Sequence, residues 1–237
     1  SPSEEGEISV WEASNAFIKR YPDPKKTKMG VLIPKDIVKM MKALCVTQRF
    51  GTLKMSGFVN IIDPQTELQF SAVTFLMEDG TAIVTYRGTD DTLVGWKEDM
   101  NMCFLPVVPA QLKAAEYLKS VAAKHEGKLI VTGHSKGGNL AVYAAVHGDA
   151  AIRNRIKAVY SNDGPGFTAE MLASEAYQGM RDRCINYVPQ SSLVGMLMEH
   201  DDNYQIIYSD KSGPMQHDPY SWAVWRNRYL YLEERSA

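Results

Sequence analysis

A chain of 237 residues with 45% hydrophobic and 23% charged side chains can bury a sizeable core, and its length suits a single domain spanning residues 1–237. A formal net charge of −2 leaves no basic field to attract nucleic acid or an anionic membrane, and no apolar run reaches transmembrane length. Three cysteines, Cys45, Cys103 and Cys184, are too sparse for a disulfide framework and point to a reducing, cytoplasmic location. The opening SPSEEGEISV is too acidic and polar for a secretory signal, and its first residue, Ser rather than Met, is compatible with removal of an upstream piece.

Residues 1–30 carry few structural signals and read as a peripheral segment. A helix is expected from Pro34, with Ile37, Val38, Met41, Leu44 and Cys45 on one face. FVNII, residues 58–62, suggests a short strand. FSAVTFLM and TAIVTYRG are β-rich runs separated by Glu78-Asp79-Gly80, a hairpin signal. RGTDDTLVGWKEDMN then reads as a polar loop whose WKEDMN charges face solvent. A helix follows from about Pro109 to Glu126, with Gly127 as its stop.

Next come KLIVT, GHSKGG and NLAVYAAVHGD: an apolar strand, a glycine-rich turn and an apolar-faced helix, in that order. Gly133-His134-Ser135-Lys136-Gly137 is a Gly-x-Ser-x-Gly nucleophile elbow. Strand and helix pass close together at such a bend, which excludes side chains beside the serine. The helix N-terminus behind it presents unpaired N–H groups suited to an oxyanion. The alternation continues with strand IKAVYSN, helix TAEMLASEAYQGM, strand CINYV, short helix SSLVGMLM, strand YQIIYS and a last helix rich in Trp and Tyr. This order predicts an α/β fold: a mostly parallel sheet with helices on both faces and an antiparallel hairpin on one side.

Ser135 needs a base within hydrogen-bond reach, and active residues of open α/β sheets gather at the carboxyl ends of the strands. Of five histidines, His125 and His200 precede strands, His147 lies about three turns along the helix, and the His134 side chain points away from that of Ser135. His217 follows a strand and is the candidate base. For the orienting acid, CINYV leads into no carboxylate, whereas IKAVYSN leads directly into Asp163; Asp210, in the His217 loop, is the other candidate. Oxyanion donors are expected from the Lys136 backbone N–H and from Thr89, by its N–H and hydroxyl, at the end of the hairpin.

TYRGTDDTLVGWKEDM and VTGHSKGGNLAVYAA together resemble the class 3 lipase family of α/β-hydrolases, and more closely a group of poorly characterised bacterial lipase-like proteins carrying RGTDD and GHSKGGNLA. The resemblance runs from about Arg49 onward. It implies an α/β-hydrolase fold with Ser135 as nucleophile, His217 as base, and Thr89 and Lys136 as oxyanion donors. Two departures stand out: Lys136 replaces the usual leucine after the serine, and no aspartate follows CINYV, which favours a relocated acid at Asp163. No apolar lid is evident between hairpin and elbow; Met100, Met102, Phe104 and Leu105 are either acyl-pocket or core residues.

The expected activity is a serine hydrolase acting on a small-molecule acyl ester or lipid-like substrate through an acyl-enzyme, with no cofactor and no metal. The alternatives are a thioesterase or amidase using the same three residues, and a non-catalytic binding or regulatory module on the hydrolase fold. Neither substrate identity nor oligomeric state is legible.

Overall fold

The computed structural model describes residues 6–22, 36–90, 92–201 and 203–235. The chain begins with a short strand, β1 (Ile8–Ser9), and helix α1 (Val10–Arg20). Ser9 Oγ accepts from Glu12 N while Glu12 accepts from Ser9 N, a reciprocal cap encoded by the Ser-x-x-Glu spacing, so residues 8–20 carry more structure than expected. Pro34 lies outside the described residues; the helix expected after it is α2 (Ile37–Cys45), followed by the single turn α3 (Gln48–Gly51).

β2 (Lys54–Asp63), β3 (Leu68–Leu76) and β4 (Ala82–Tyr86) form an antiparallel meander, with the expected turn at residues 77–81. The supposed polar loop is helix α4 (Leu93–Met102). Thr92 caps it by accepting from Gly95 N at 3.1 Å. Helix α5 (Pro109–Lys124) starts, as expected, with proline in its first turn.

β5 (Leu129–His134) leads through the elbow into α6 (Lys136–His147), and α7 (Ala150–Arg155) leads into β6 (Ile156–Asn162). TAEMLASEAYQGM is two short helices, α8 (Ala169–Ala173) and α9 (Glu175–Gln178). Ser174 leaves the helical conformation between them and caps the second through Tyr177 N. After β7 (Cys184–Pro189), SSLVGMLM keeps only a 3₁₀ turn at Val194–Met196 before β8 (Tyr204–Ile207).

The expected last helix is absent. Two 3₁₀ turns, Gly213–His217 and Pro219–Ser221, precede β9 (Val224–Trp225), β10 (Arg228–Tyr229) and β11 (Tyr231–Leu232). Trp222, Trp225 and Tyr229 mimic helical spacing, but aromatic residues suit strands as well. Here Tyr229 packs 5.7 Å from Trp222 and 5.0 Å from Tyr187, ring centre to ring centre.

One sheet runs β1-β2-β3-β4-β5-β6-β7-β8-β11; β4 to β8 are mutually parallel and β11 closes the edge antiparallel. Ala82, Val84, Tyr86, Leu129, Val131 and Val159 present one face to the core that includes α5 and α6. Helix α6 is buried from Lys136 through Val146, and its alanines at 141, 144 and 145 let neighbouring elements approach closely. The parallel order carries the ends of β4, β5, β6, β7 and β8 to one edge of the sheet, which is where the functional candidates lie. Among the described residues no helix is long and apolar enough to cross a membrane.

Candidate active site

Ser135 sits between β5 and α6 with φ 58° and ψ −135°, a positive-φ conformation that a non-glycine residue holds only where its surroundings enforce it. The enforcement is visible at Gly133, where a Cβ would lie 2.1 Å from Gly137 O. Behind the serine, Lys136 N is the first amide of α6 and has no intrahelical acceptor. The end of β4 passes directly in front: a Cβ on Gly88 would lie 2.8 Å from His134 O and 3.1 Å from Ser135 Cβ. Thr89 is therefore brought beside the elbow. Its hydroxyl donates to the Asp99 carboxylate at 2.6–2.7 Å, which engages the hydroxyl proton and leaves the backbone N–H as the donor it can offer toward Ser135.

Asp163 follows β6, fully buried, with φ 52°. Its Oδ2 lies 2.7 Å from His217 Nδ1, and its Oδ1 accepts from Ser192 Oγ at 2.5 Å. A carboxylate can only accept, so the proton of a neutral His217 resides on Nδ1, and Nε2 carries the lone pair a base requires. Asp210, the other candidate acid, is exposed. Ser192, which follows β7, braces the Asp163 carboxylate through its hydroxyl.

Several contacts hold the His217 loop against the elbow. His134 Nε2 lies 2.8 Å from His217 O, and the two rings are 4.6 Å apart. Trp222 Nε1 donates to Gln216 O at 2.8 Å, and the buried Gln216 side chain accepts from Ser191 N and donates to Lys211 O. Burial, and next the neighbouring His217, push the His134 pKa down to about 4. His134 is thus neutral near pH 7, with its Nε2 proton donated to the His217 carbonyl. No hydrogen bond joins Ser135 Oγ to the His217 ring.

The WKEDMN charges are not all a solvated face: Lys97 is exposed as expected, but Glu98 is not. Glu98 is fully buried and its carboxylate accepts from Gln69 N, Ala110 N and Lys136 Nζ. Lys136 is 2% exposed, and its ammonium also donates to Gln69 O at 3.0 Å and Gln69 Oε1 at 2.6 Å. Burial raises the Asp99 pKa, opposed by Lys136 and the Thr89 hydroxyl. Outside the site, Met102 is core, whereas Met100, Phe104 and Leu105 are exposed along with Leu93 and Trp96. Sequence reasoning missed Glu98, Asp99, Ser192 and the bracing role of His134. The signal available for Glu98 was Lys136 itself, since a charge opening a buried helix requires a buried partner.

Among the described residues no group of three or more His, Cys, Asp or Glu side chains could hold a metal ion.

Solved structures with a similar fold include two Rhizomucor miehei lipase propeptide complexes. The complex of a deletion mutant is 16% identical with a TM-score of 0.50, over 85% of this chain and 65% of that one. The native complex is 15% identical with a TM-score of 0.49, over 85% and 66%. Lipase II from Rhizopus niveus is 14% identical with a TM-score of 0.46, over 86% and 82%. The chain thus spans just under two thirds of the length of the Rhizomucor chains. At such identities the likeness is one of fold, and with the mostly parallel sheet it makes this fold α/β-hydrolase-like. A comparison with curated protein sequences finds no match. A family model described as Mbeg1-like matches residues 44–237, and the chain belongs to the Mbeg1-like family.

Proposed function

We propose that the protein is a serine hydrolase that cleaves a carboxylic ester of a lipid-like acyl substrate through an acyl-enzyme on Ser135. The observation that carries this reading is the pairing of the buried Asp163 carboxylate with the partly exposed His217 ring, seated through His134 against an elbow whose serine is held at positive φ. In the reaction, Ser135 Oγ attacks the acyl carbon while His217 Nε2 takes the hydroxyl proton. The oxyanion is held by the Thr89 and Lys136 backbone amides. As the tetrahedral intermediate collapses, His217 returns the proton to the departing alkoxide. A water then enters, gives a proton to His217 and attacks the acyl carbon; as the second tetrahedral intermediate collapses, His217 passes that proton to Ser135 Oγ, which releases the acid and free Ser135. Asp163 stabilises the imidazolium throughout. Leu93, Trp96, Met100 and Phe104, exposed after the oxyanion strand, suit an apolar acyl chain.

The test is turnover of short p-nitrophenyl esters, with matched thioester and anilide substrates to separate the bond classes. Parent protein should hydrolyse the ester, and Ser135→Ala should lower kcat by at least about 1,000-fold. Equal turnover by both proteins would remove the assignment. A second reading, a non-catalytic binding module, draws on the missing Ser135–His217 hydrogen bond. Resting hydrolases often lengthen that contact, so it does not displace the first.

A further inference from the structure

Beneath the elbow lies a buried charge cluster that the reaction above does not use. Lys136 Nζ is 2.8 Å from Glu98 Oε2 and 3.9 Å from Asp99 Oδ1. Glu98 belongs to α4, yet its two oxygens reach β3 through Gln69 N and the first turn of α5 through Ala110 N. Three elements and the elbow therefore meet on one carboxylate and one ammonium. The next residue along α4, Asp99, holds the Thr89 hydroxyl. Gln69 turns its Oε1 to the ammonium even though its own Nε2 is left buried without a partner. Leaving such a group unsatisfied is costly, so the cluster is organised around Lys136.

Helix α4 is also oriented against its hydrophobicity. Leu93, Trp96 and Met100 face solvent, while Gly95, Glu98 and Met102 face inward. Apolar burial alone does not select that orientation. The buried ion pair does, because rolling α4 away would strand an ammonium in the core.

We propose that Lys136, through its ion pair with Glu98, is a positioning residue for the oxyanion loop: it clamps α4 to the elbow so that Asp99 holds Thr89 in register with Ser135 before substrate arrives. The inference rests on Ser135 being the nucleophile. It concerns the Lys136 side chain, distinct from the backbone amide assigned to the oxyanion.

A water-soluble fluorophosphonate reports the geometry. Ser135 Oγ bonds to phosphorus, fluoride leaves, and the serine proton passes to His217. Two variants are compared with the parent: Glu98→Met/Lys136→Met, which removes both charges at similar volume, and the near-isosteric Glu98→Gln. Each should lose about 10- to 100-fold in kinact with KI little changed, because the loop moves and the probe site does not. Thr89→Ala should lower kinact in the parent and add little in the double variant, since both act through the same anchor. A purely structural pair would leave kinact of the folded variants at the parent value, and that result overturns the proposal. So does a Thr89→Ala effect undiminished in the double variant. If the double variant does not fold, the kinact of Glu98→Gln decides the matter. A parent that is not modified at all overturns the nucleophile reading, and this inference with it; a modified parent with equally reactive variants overturns this inference alone.

Discussion

Asp163→Asn is expected to slow fluorophosphonate modification of Ser135 by about 10,000-fold while leaving the protein folded. The orientation of the new amide follows from its neighbours. Ser192 Oγ already accepts from Gly195 N, so its proton points at residue 163 and holds an oxygen there. An asparagine keeps its oxygen toward Ser192 and turns its NH₂ toward His217 Nδ1. The imidazole must then accept at Nδ1 and carry its proton on Nε2, the nitrogen that has to receive the serine proton. No negative charge remains to stabilise the imidazolium. The second-order rate of modification, measured beside circular dichroism of the same samples, checks this. A loss below about tenfold would place the working acid elsewhere.

Lys136→Met alone is expected to lower the free energy of unfolding by about 3–5 kcal/mol. The substitution strands the Glu98 carboxylate, which is wholly buried and keeps only the Gln69 and Ala110 amides. Removing both charges avoids that penalty, so Glu98→Met/Lys136→Met should recover most of the loss. Urea denaturation of the parent, single and double variants gives the comparison. A single variant as stable as the parent would mean that the ammonium contributes nothing to holding α4. The stability measurement is independent of chemistry at Ser135 and stands even if the protein proves to be a binding module.

The parallel half of the molecule was legible because β5, β6 and β7 are short apolar runs bounded by turn residues, and their order dictates which loops share an edge. That topology alone assigned Ser135, Asp163 and His217 to the same edge. Charge burial was not legible. WKEDMN is as polar as any solvated loop, and only the three-dimensional meeting of α4, β3, α5 and the elbow shows why Glu98 is inside. The C-terminal segment misled for a different reason. Trp222, Trp225 and Tyr229 fall at helical spacing, but Pro219 and the short strands after it pack Trp222 and Tyr229 around Tyr187 and His134 instead. The N-terminal cap, by contrast, is written plainly as Ser9-x-x-Glu12, with Lys19 and Arg20 in the last turn of α1.

The most direct measurement is the site and dependence of covalent modification: intact-mass and peptide mass spectrometry of the folded protein after fluorophosphonate treatment. One adduct is expected, on Ser135, at a rate reduced at least about 1,000-fold in His217→Ala. An unmodified Ser135, or a Ser135 modified as fast without the imidazole as with it, would contradict this expectation.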